Sequence, residues 1–311
     1  MANAVHTQNL SISVGRFAPS PTGELHLGNL RTALASWLSV KSQGGRWLVR
    51  VEDVDTARCK REWAEAQLRD LAALGLESDG PNEWQSQRSD VYRAALDRLA
   101  RQSYLYRCGC SRKDLALLAS APHEDDGLRA YPNRCRAQKV ESFCADALRV
   151  ELPPGVVEWH DVLLGAQRDD PATLTGDPLL HRRDGCFAYH LAVVVDDGEQ
   201  GITEIVRGAD LRAVTATQIR LQELLGYARP AYAHLGLVTA PDGTRLGKRA
   251  GAASLTALRA RGVRVDEILG WLGCSLGCLP QPEPCRAEDL IAEFAWSRVP
   301  VAAVSVPPEW A

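Results

Sequence analysis

The chain has 311 residues, 45% of them hydrophobic and 24% charged, with a formal net charge of -3 at pH 7. That length suggests two domains or one domain with an insertion, and that balance supports a sizeable core and excludes global disorder. It also argues against a surface coated in basic residues for indiscriminate nucleic-acid binding. No apolar run nears the ~18 residues of a membrane span. The opening MANAVHTQNLSIS lacks the marks of a signal peptide, so a cytoplasmic protein with a loose tail over residues 1–12 is expected.

Ordered structure is expected from Ser13. SVGRFA (Ser13 to Ala18) reads as a strand meeting the turn cluster Pro19, Ser20, Pro21, Thr22, Gly23. Leu30, Leu34, Trp37 and Leu38 recur at helical spacing. RWLVRVEDVD alternates Trp47, Val49 and Val51 with polar neighbours, as a strand ending near Asp53 does. Arg61 to Leu74 is helical by pattern with Gly75 as its stop, and Asp90 to Leu99 forms a second helix. From about Tyr104 to Asp184, close cysteines and Pro/Gly breaks replace long periodic helices, which marks an insertion. Beyond it, Phe187 to Val195 reads as a buried strand ending in Asp196-Asp197-Gly198, and Ile202 to Val206 as another. Thr215 to Leu225 is a helix closed by Gly226, and Tyr232 to Val238 a strand before the turn Ala240-Pro241-Asp242-Gly243. Val265 to Leu272 opens a final, mostly helical region.

Strands alternating with helices on both sides of an insertion predict an α/β fold. The sheet would be parallel and doubly wound, with ligands beyond the carboxyl ends of its strands. Residues 13–103 and 185–256 are its two halves, 104–184 the insertion and 257–311 a helical C-terminal region.

PSPTGELHLGN (Pro19 to Asn29) runs from a strand through a Gly/Pro turn into a helix start. A helix N-terminus offers N–H groups and partial positive charge, which suits phosphate. His26 and Asn29 stand there, and Gly28 lets a flat ligand approach the backbone. This chemistry suits a nucleoside triphosphate, with His26 donating to a phosphate oxygen as charge develops. The plainer alternative is a Pro-rich turn with His26 capping the helix.

GRFAPSPTGELHLGN resembles the first signature of class I aminoacyl-tRNA synthetases, His-x-Gly-His, with Asn29 in place of the second His as glutamyl enzymes also show. It is similar to the glutamyl and glutaminyl branch in particular. RVEDVDTAR, YHLAVVVDD and TEIVRGADL extend the resemblance over about Val14 to Lys248. The resemblance implies a Rossmann-like catalytic domain, ATP with Mg2+, and a second signature such as Lys-Leu-Ser-Lys-Arg in a loop after a later strand. Here TAPDGTRLGKR supplies Arg245-Leu246-Gly247-Lys248-Arg249. Lys248 keeps the lysine that, in the family, steadies the triphosphate, and Arg245 keeps a positive charge. Gly247 lacks the serine hydroxyl, so weaker ATP binding or slower activation is expected. By this resemblance His26, Asn29 and Lys248 are catalytic, and Gly28, His26, Arg245 and Lys248 bind ATP.

An acidic amino acid needs cations for its carboxylates and acceptors for its ammonium, and an arginine fork bonds both oxygens of a carboxylate. Arg16 and Arg207 leave strands at expected carboxyl ends, Glu52 follows a strand as an ammonium acceptor, and Tyr189 adds a phenol. The resemblance implies that Arg16, Phe17, Ala18, Pro19, Ser20, Glu52, Tyr189 and Arg207 bind glutamate. Rim salt bridges and a core tyrosine are the alternative.

Nine cysteines in so long a chain do not suggest a disulfide scaffold. Cys108 and Cys110 are spaced to hold one ion, with Cys135 as a third ligand, in the closed structural zinc chemistry of thiolates. The fourth ligand is open. Tyr131 fits the pattern Cys-x-Cys…Tyr-x-x-x-Cys of the resembled family, and His123 and Cys144 compete. Zn2+ there would brace the insertion that meets the acceptor without taking part in the chemistry. Unconnected buried thiols are the alternative.

Glutamyl-tRNA synthetases continue into a helical anticodon-binding part. This chain ends about 60 residues past Lys248, so no anticodon-binding domain is expected. With the cysteine pattern and AEDLIAEFAWSRVP, it resembles the glutamyl-queuosine tRNA(Asp) synthetase family. That resemblance implies a ligase that converts L-glutamate and ATP to glutamyl-adenylate. The glutamyl group would then pass to the queuosine base at the wobble position of tRNA(Asp), the protein acting as a monomer with no membrane partner. The alternatives are a truncated glutamyl-tRNA synthetase charging the tRNA 3′ end and a non-catalytic glutamate- or tRNA-binding paralogue.

Overall fold

The computed structural model describes residues 12–110, 130–244, 246 and 253–310. β1 (Val14–Phe17) leads through the Pro19–Gly23 turn to α1 (Leu27–Lys41), β2 (Arg46–Val51), α2 (Arg61–Ala73), β3 (Glu83–Trp84) and α3 (Ser89–Arg101). Apart from the two-residue β3, which the pattern does not reveal, these follow the expected order. The segment expected as an insertion, residues 104–184, holds β4 (Leu105–Arg107), β5 (Leu148–Val150), β6 (Val157–Asp161), β7 (Gly165–Asp169), the single turn α4 (Pro171–Leu174) and β8 (Leu179–His181). After it come α5 (Tyr189–Glu199), β9 (Glu204–Gly208), α6 (Thr215–Leu225), β10 (Ala231–Leu235), β11 (Val238–Thr239), α7 (Leu255–Ala260), α8 (Val265–Ser275) and β12 (Val304–Ser305). α6 ends as expected: Gly226 takes φ +64°, so the Tyr227 N–H turns back to the Gln222 carbonyl.

The main sheet has the order β3-β2-β1-β9-β10-β6-β7 and is parallel except for β7, which runs antiparallel to β6. Helices cover both faces, so the α/β, Rossmann-like doubly wound expectation holds. On one face Phe17, Trp47, Val49, Val206, Ala233 and Leu235 pack beneath α1 and α8. On the other, Leu48, Ile205, Tyr232 and Trp159 meet Ala216 and Ile219 of α6. Strand order reverses between β1 and β9, and a crevice opens outside the carboxyl ends at such a switch point.

Three expectations are corrected. Residues 189–199 form a helix, where Phe187 to Val195 reads as a strand. A continuous apolar run cannot separate a buried strand from a buried helix, and this helix is buried on several sides, with Leu191, Val194 and Val195 in a cluster shared with Tyr92, Leu96 and Leu99 of α3. The strand expected over Tyr232 to Val238 is two, β10 and β11, broken at Gly236. A Cβ there would collide with the carbonyls of Val301 and Ala302, which lead into β12, the parallel partner of β11. Beyond Ser275 the described C-terminal residues hold short 3-10 turns and β12 in place of further α-helix.

The insertion divides between two sheets. β4, β5 and β8 form a separate antiparallel sheet, while the β6–β7 hairpin extends the main one. That hairpin brings Asp161 beside β10, where it is in register with Tyr232.

Candidate active site

A cavity of about 100 Å3 lies outside the carboxyl ends of β9 and β10, lined among others by His26, Gly28, Asn29, Gly208, Asp210 and Leu246. His26 is the N-cap of α1. Its Nδ1 accepts from the backbone N–H of Gly28 (3.1 Å) and of Asn29 (3.3 Å), and Asn29 Oδ1 accepts from the His26 N–H (3.2 Å). Two first-turn N–H groups are therefore engaged by the ring, where the sequence offers them to phosphate. With Nδ1 accepting, the neutral ring carries its proton on Nε2, and that is its donor. Capping and donating are thus compatible roles. Gly28 also serves the ring, since a Cβ there would lie 3.0 Å from His26. Leu246 of the second signature lines the same cavity, and Ser254, which caps α7 (Ala257 N–H to Ser254 Oγ, 3.2 Å), forms a β-bridge with His26. Arg245 and Lys248 themselves lie outside the described residues.

The placement of the residues expected to bind the amino acid follows from strand register. Side chains two apart share a face, and Arg16 is level with Leu48, Arg207 with His234, and Tyr232 with Asp161. One face therefore carries Arg16, Arg50, Arg207, Tyr232, His234 and Asp161 in adjacent strands, and Glu52 continues the row just past β2. Tyr189, at the start of α5, lies in the field of Arg207, Glu52 and Arg16, and burial pushes its phenol up. Arg16, Glu52, Tyr189 and Arg207 are thus brought together. Of the others implied for glutamate, Phe17 points into the opposite core. Pro19 offers its carbonyl to the Glu52 N–H (2.9 Å). Ser20 is exposed and Ala18 half-buried.

The two arginines differ in charge balance. Arg16 Nε donates to Asp197 Oδ1 at 3.0 Å, and Arg50 Nη1 donates to the same oxygen at 2.8 Å. Arg88 Nε donates to Asp196 at 2.7 Å. Arg16, Arg50 and Arg88 thereby face Glu52, Asp196 and Asp197, most of them buried. Opposing guanidiniums hold Asp197 below the usual carboxylate range in spite of burial. Arg207, only 5% exposed, has neutral acceptors: His234 Nε2 (3.0 Å), Gln218 Oε1 (2.6 Å) and Thr215 Oγ1 (2.8 Å). Each engages a different nitrogen, which leaves one N–H on each terminal nitrogen for a further acceptor. A buried guanidinium without a counter-charge is costly, and an anionic ligand would supply that charge. Sequence reading missed Asp197, His234, Asp161, Gln218 and Thr215. The alternation in AYAHL and the double aspartate were the available signals.

At the end of β4, the sulfurs of Cys108, Cys110 and Cys135 lie within 4.8 Å of one another, with Cys110 and Cys135 3.9 Å apart. The Tyr131 hydroxyl is 3.5 Å from both Cys108 and Cys110. Tetrahedral bonds of about 2.3 Å to sulfur and 2.0 Å to oxygen place sulfurs about 3.8 Å apart and the oxygen about 3.5 Å from them, so this donor set fits zinc. Of the competitors, His123 lies outside the described residues, and Cys144 is not in the trio and sits 3.8 Å from Arg107.

A family model described as tRNA synthetases class I (E and Q), catalytic domain, matches residues 13–301. The crystal structure of glutamate-tRNA synthetase from Elizabethkingia anophelis superposes with a TM-score of 0.80 at 26% identity, over 96% of this chain and 69% of that one. The glutamyl-Q tRNA(Asp) synthetase of Geobacter sulfurreducens is 50% identical over 79% of this chain and 78% of its own length. That of Symbiobacterium thermophilum is 43% identical over 95% and 96%. The fold and site define a class I tRNA synthetase catalytic domain of the E and Q branch. Within that class the chain belongs to the glutamyl-Q tRNA(Asp) synthetase family, and it is a ligase.

Proposed function

We propose that the enzyme activates L-glutamate with ATP and transfers the glutamyl group to the queuosine base at the wobble position of tRNA(Asp). The observation that carries the activation half is Arg207: a buried guanidinium whose partners are neutral, placed one residue from Gly208 of the nucleotide cavity. Arg207 takes a carboxylate of glutamate, Arg16 is aligned by Asp197 beside it, Glu52 accepts from the ammonium and Tyr189 closes the pocket. The glutamate α-carboxylate attacks the ATP α-phosphorus in line. The bond to the bridging oxygen breaks and pyrophosphate leaves. His26 Nε2–H donates to phosphate oxygens as charge grows, with Lys248 assigned the same task from the second loop. Mg2+ bound with ATP supplies further charge neutralisation at the phosphates. A hydroxyl of the queuosine cyclopentene ring then attacks the acyl carbon of the adenylate, and AMP leaves. The acceptor half rests on the names of the relatives. Cys108, Cys110, Cys135 and Tyr131 would hold a structural Zn2+.

Exchange of labelled pyrophosphate into ATP tests the activation half. It should depend on glutamate. Arg207→Lys, which cannot keep the forked contacts, should raise the KM for glutamate by about ten-fold or more, the scale of a hydrogen bond to a charged group. Exchange that ignores glutamate, or an unchanged KM in Arg207→Lys, contradicts the reading.

A further inference from the structure

We propose that Asp161 and His234 form a positioning relay for Arg207, in which the aspartate sets the imidazole tautomer and the ring presents a lone pair to the guanidinium. The idea rests on Arg207 as a carboxylate-binding residue, and adds two residues from elements that the glutamate motifs do not include.

The geometry is closed on every side. His234 is level with Arg207 in the parallel β9–β10 pair, so their side chains are neighbours on one face. Arg207 Nε lies 3.0 Å from His234 Nε2, and Nε of an arginine is only a donor, so Nε2 must be the acceptor. The ring proton then belongs on Nδ1, which lies 2.6 Å from Asp161 Oδ2. Asp161 is itself pinned: its Oδ1 accepts from the backbone N–H groups of Leu163 and Leu164, both at 2.9 Å, at the turn of the β6–β7 hairpin. Asp161 and His234 are both fully buried. Burial, with Arg207 and Arg212 nearby, holds the imidazole down to about 4 against the pull of Asp161, so the ring stays neutral.

This arrangement answers a design problem. A carboxylate placed directly on Arg207 would fix its orientation and also supply the counter-charge that substrate must bring. A neutral imidazole fixes the orientation while leaving that charge uncompensated. The aspartate is moved one residue back, where it selects the tautomer.

The test is glutamate-dependent pyrophosphate exchange in variants of the whole enzyme. Asp161→Asn keeps an oxygen for the Leu163 and Leu164 amides but turns an N–H donor toward Nδ1. The ring proton moves to Nε2, donor then faces donor at Arg207, and the KM for glutamate should rise about ten-fold or more. The KM for ATP should stay close to the parent's. His234→Gln keeps an acceptor near the Nε2 position without the Asp161 link. Its glutamate KM should rise less than that of Asp161→Asn, and adding Asp161→Asn to it should have no further effect. An unchanged glutamate KM in Asp161→Asn, a parallel rise in the ATP KM, or an undiminished penalty in the double variant overturns the relay. Nitrogen-15 shifts of His234 in the parent enzyme give a check independent of variant folding: a proton on Nδ1 is expected, and one on Nε2 overturns the relay. If Arg207→Lys leaves the glutamate KM unchanged, the reading of Arg207 has failed. If Arg207→Lys raises it and Asp161→Asn does not, only the relay has.

Discussion

The His26 ring holds the first turn of α1 with Nδ1 and has Nε2–H as its donor, and substitution can separate the two. Asparagine caps a helix through its side-chain oxygen but does not supply that donor. His26→Asn should keep the parent's thermal stability while exchange slows by about 100-fold, the usual loss for one transition-state donor. His26→Ala should slow it similarly and also destabilise by about 1 kcal/mol; equal rates in parent and His26→Asn would remove the histidine from the chemistry. Glu52 carries a pH signature. Burial raises its carboxyl to about 7, ahead of the opposing pull of Arg50 and Arg16. A carboxyl raised above its free value of about 4.3 favours folding while protonated, and that contribution is lost as pH rises through about 7. Accepting an ammonium needs the opposite state, so the KM for glutamate should fall as pH rises through about 7, and Glu52→Gln should flatten the profile. A profile unchanged by that substitution counts against Glu52 as the acceptor. At this scale the sequence shows the residues that are close to a motif or a strand end: His26, Arg16, Glu52, Arg207 and the cysteine trio. Asp161 and His234 are 73 positions apart and meet only through the β6–β10 pairing, which no local pattern reveals.

Among the elements, α5 shows where periodicity stops being informative. Val193, Val194 and Val195 favour a strand locally, and no polar stripe marks a helix because that helix is buried on several sides. Asp196 and Asp197 diverge, one toward Arg88, Gln85 and Tyr92, the other toward Arg16 and Arg50. One helix end thus ties α3 to the amino-acid pocket. Asp197→Ala should leave two buried guanidiniums without their shared carboxylate and cost about 3–5 kcal/mol in urea unfolding; a loss near zero would mean that the network is solvated. The amphipathic α3 and the Gly-stopped α2 and α6 were readable because one face of the first and the chain stops of the others depend on local residues. The β10–β11 break was not, because its cause is the close approach of Val301 and Ala302 from the far end of the chain.

For the molecule as a whole, the insertion stands in two relations to the catalytic sheet. Its hairpin completes the sheet beside the proposed amino-acid pocket, and its cysteine cluster lies with the separate β4-β5-β8 sheet. Loss of metal should therefore act on the acceptor step. Chelation, or Cys110→Ser, should reduce glutamyl transfer to tRNA several-fold more than pyrophosphate exchange, since a closed thiolate site organises its own segment; equal loss in both assays would place the metal's influence at the activation site. The alternation of strands and helices made the doubly wound architecture legible, but the split of residues 104–184 between two sheets depends on pairings across long sequence separations. The most direct measurement is incubation with labelled glutamate, ATP and tRNA(Asp) with or without queuosine, followed by digestion to nucleosides. Label confined to the queuosine nucleoside, and absent from queuosine-free tRNA, is the predicted result; label on the terminal adenosine, or equal label on both tRNAs, would contradict it.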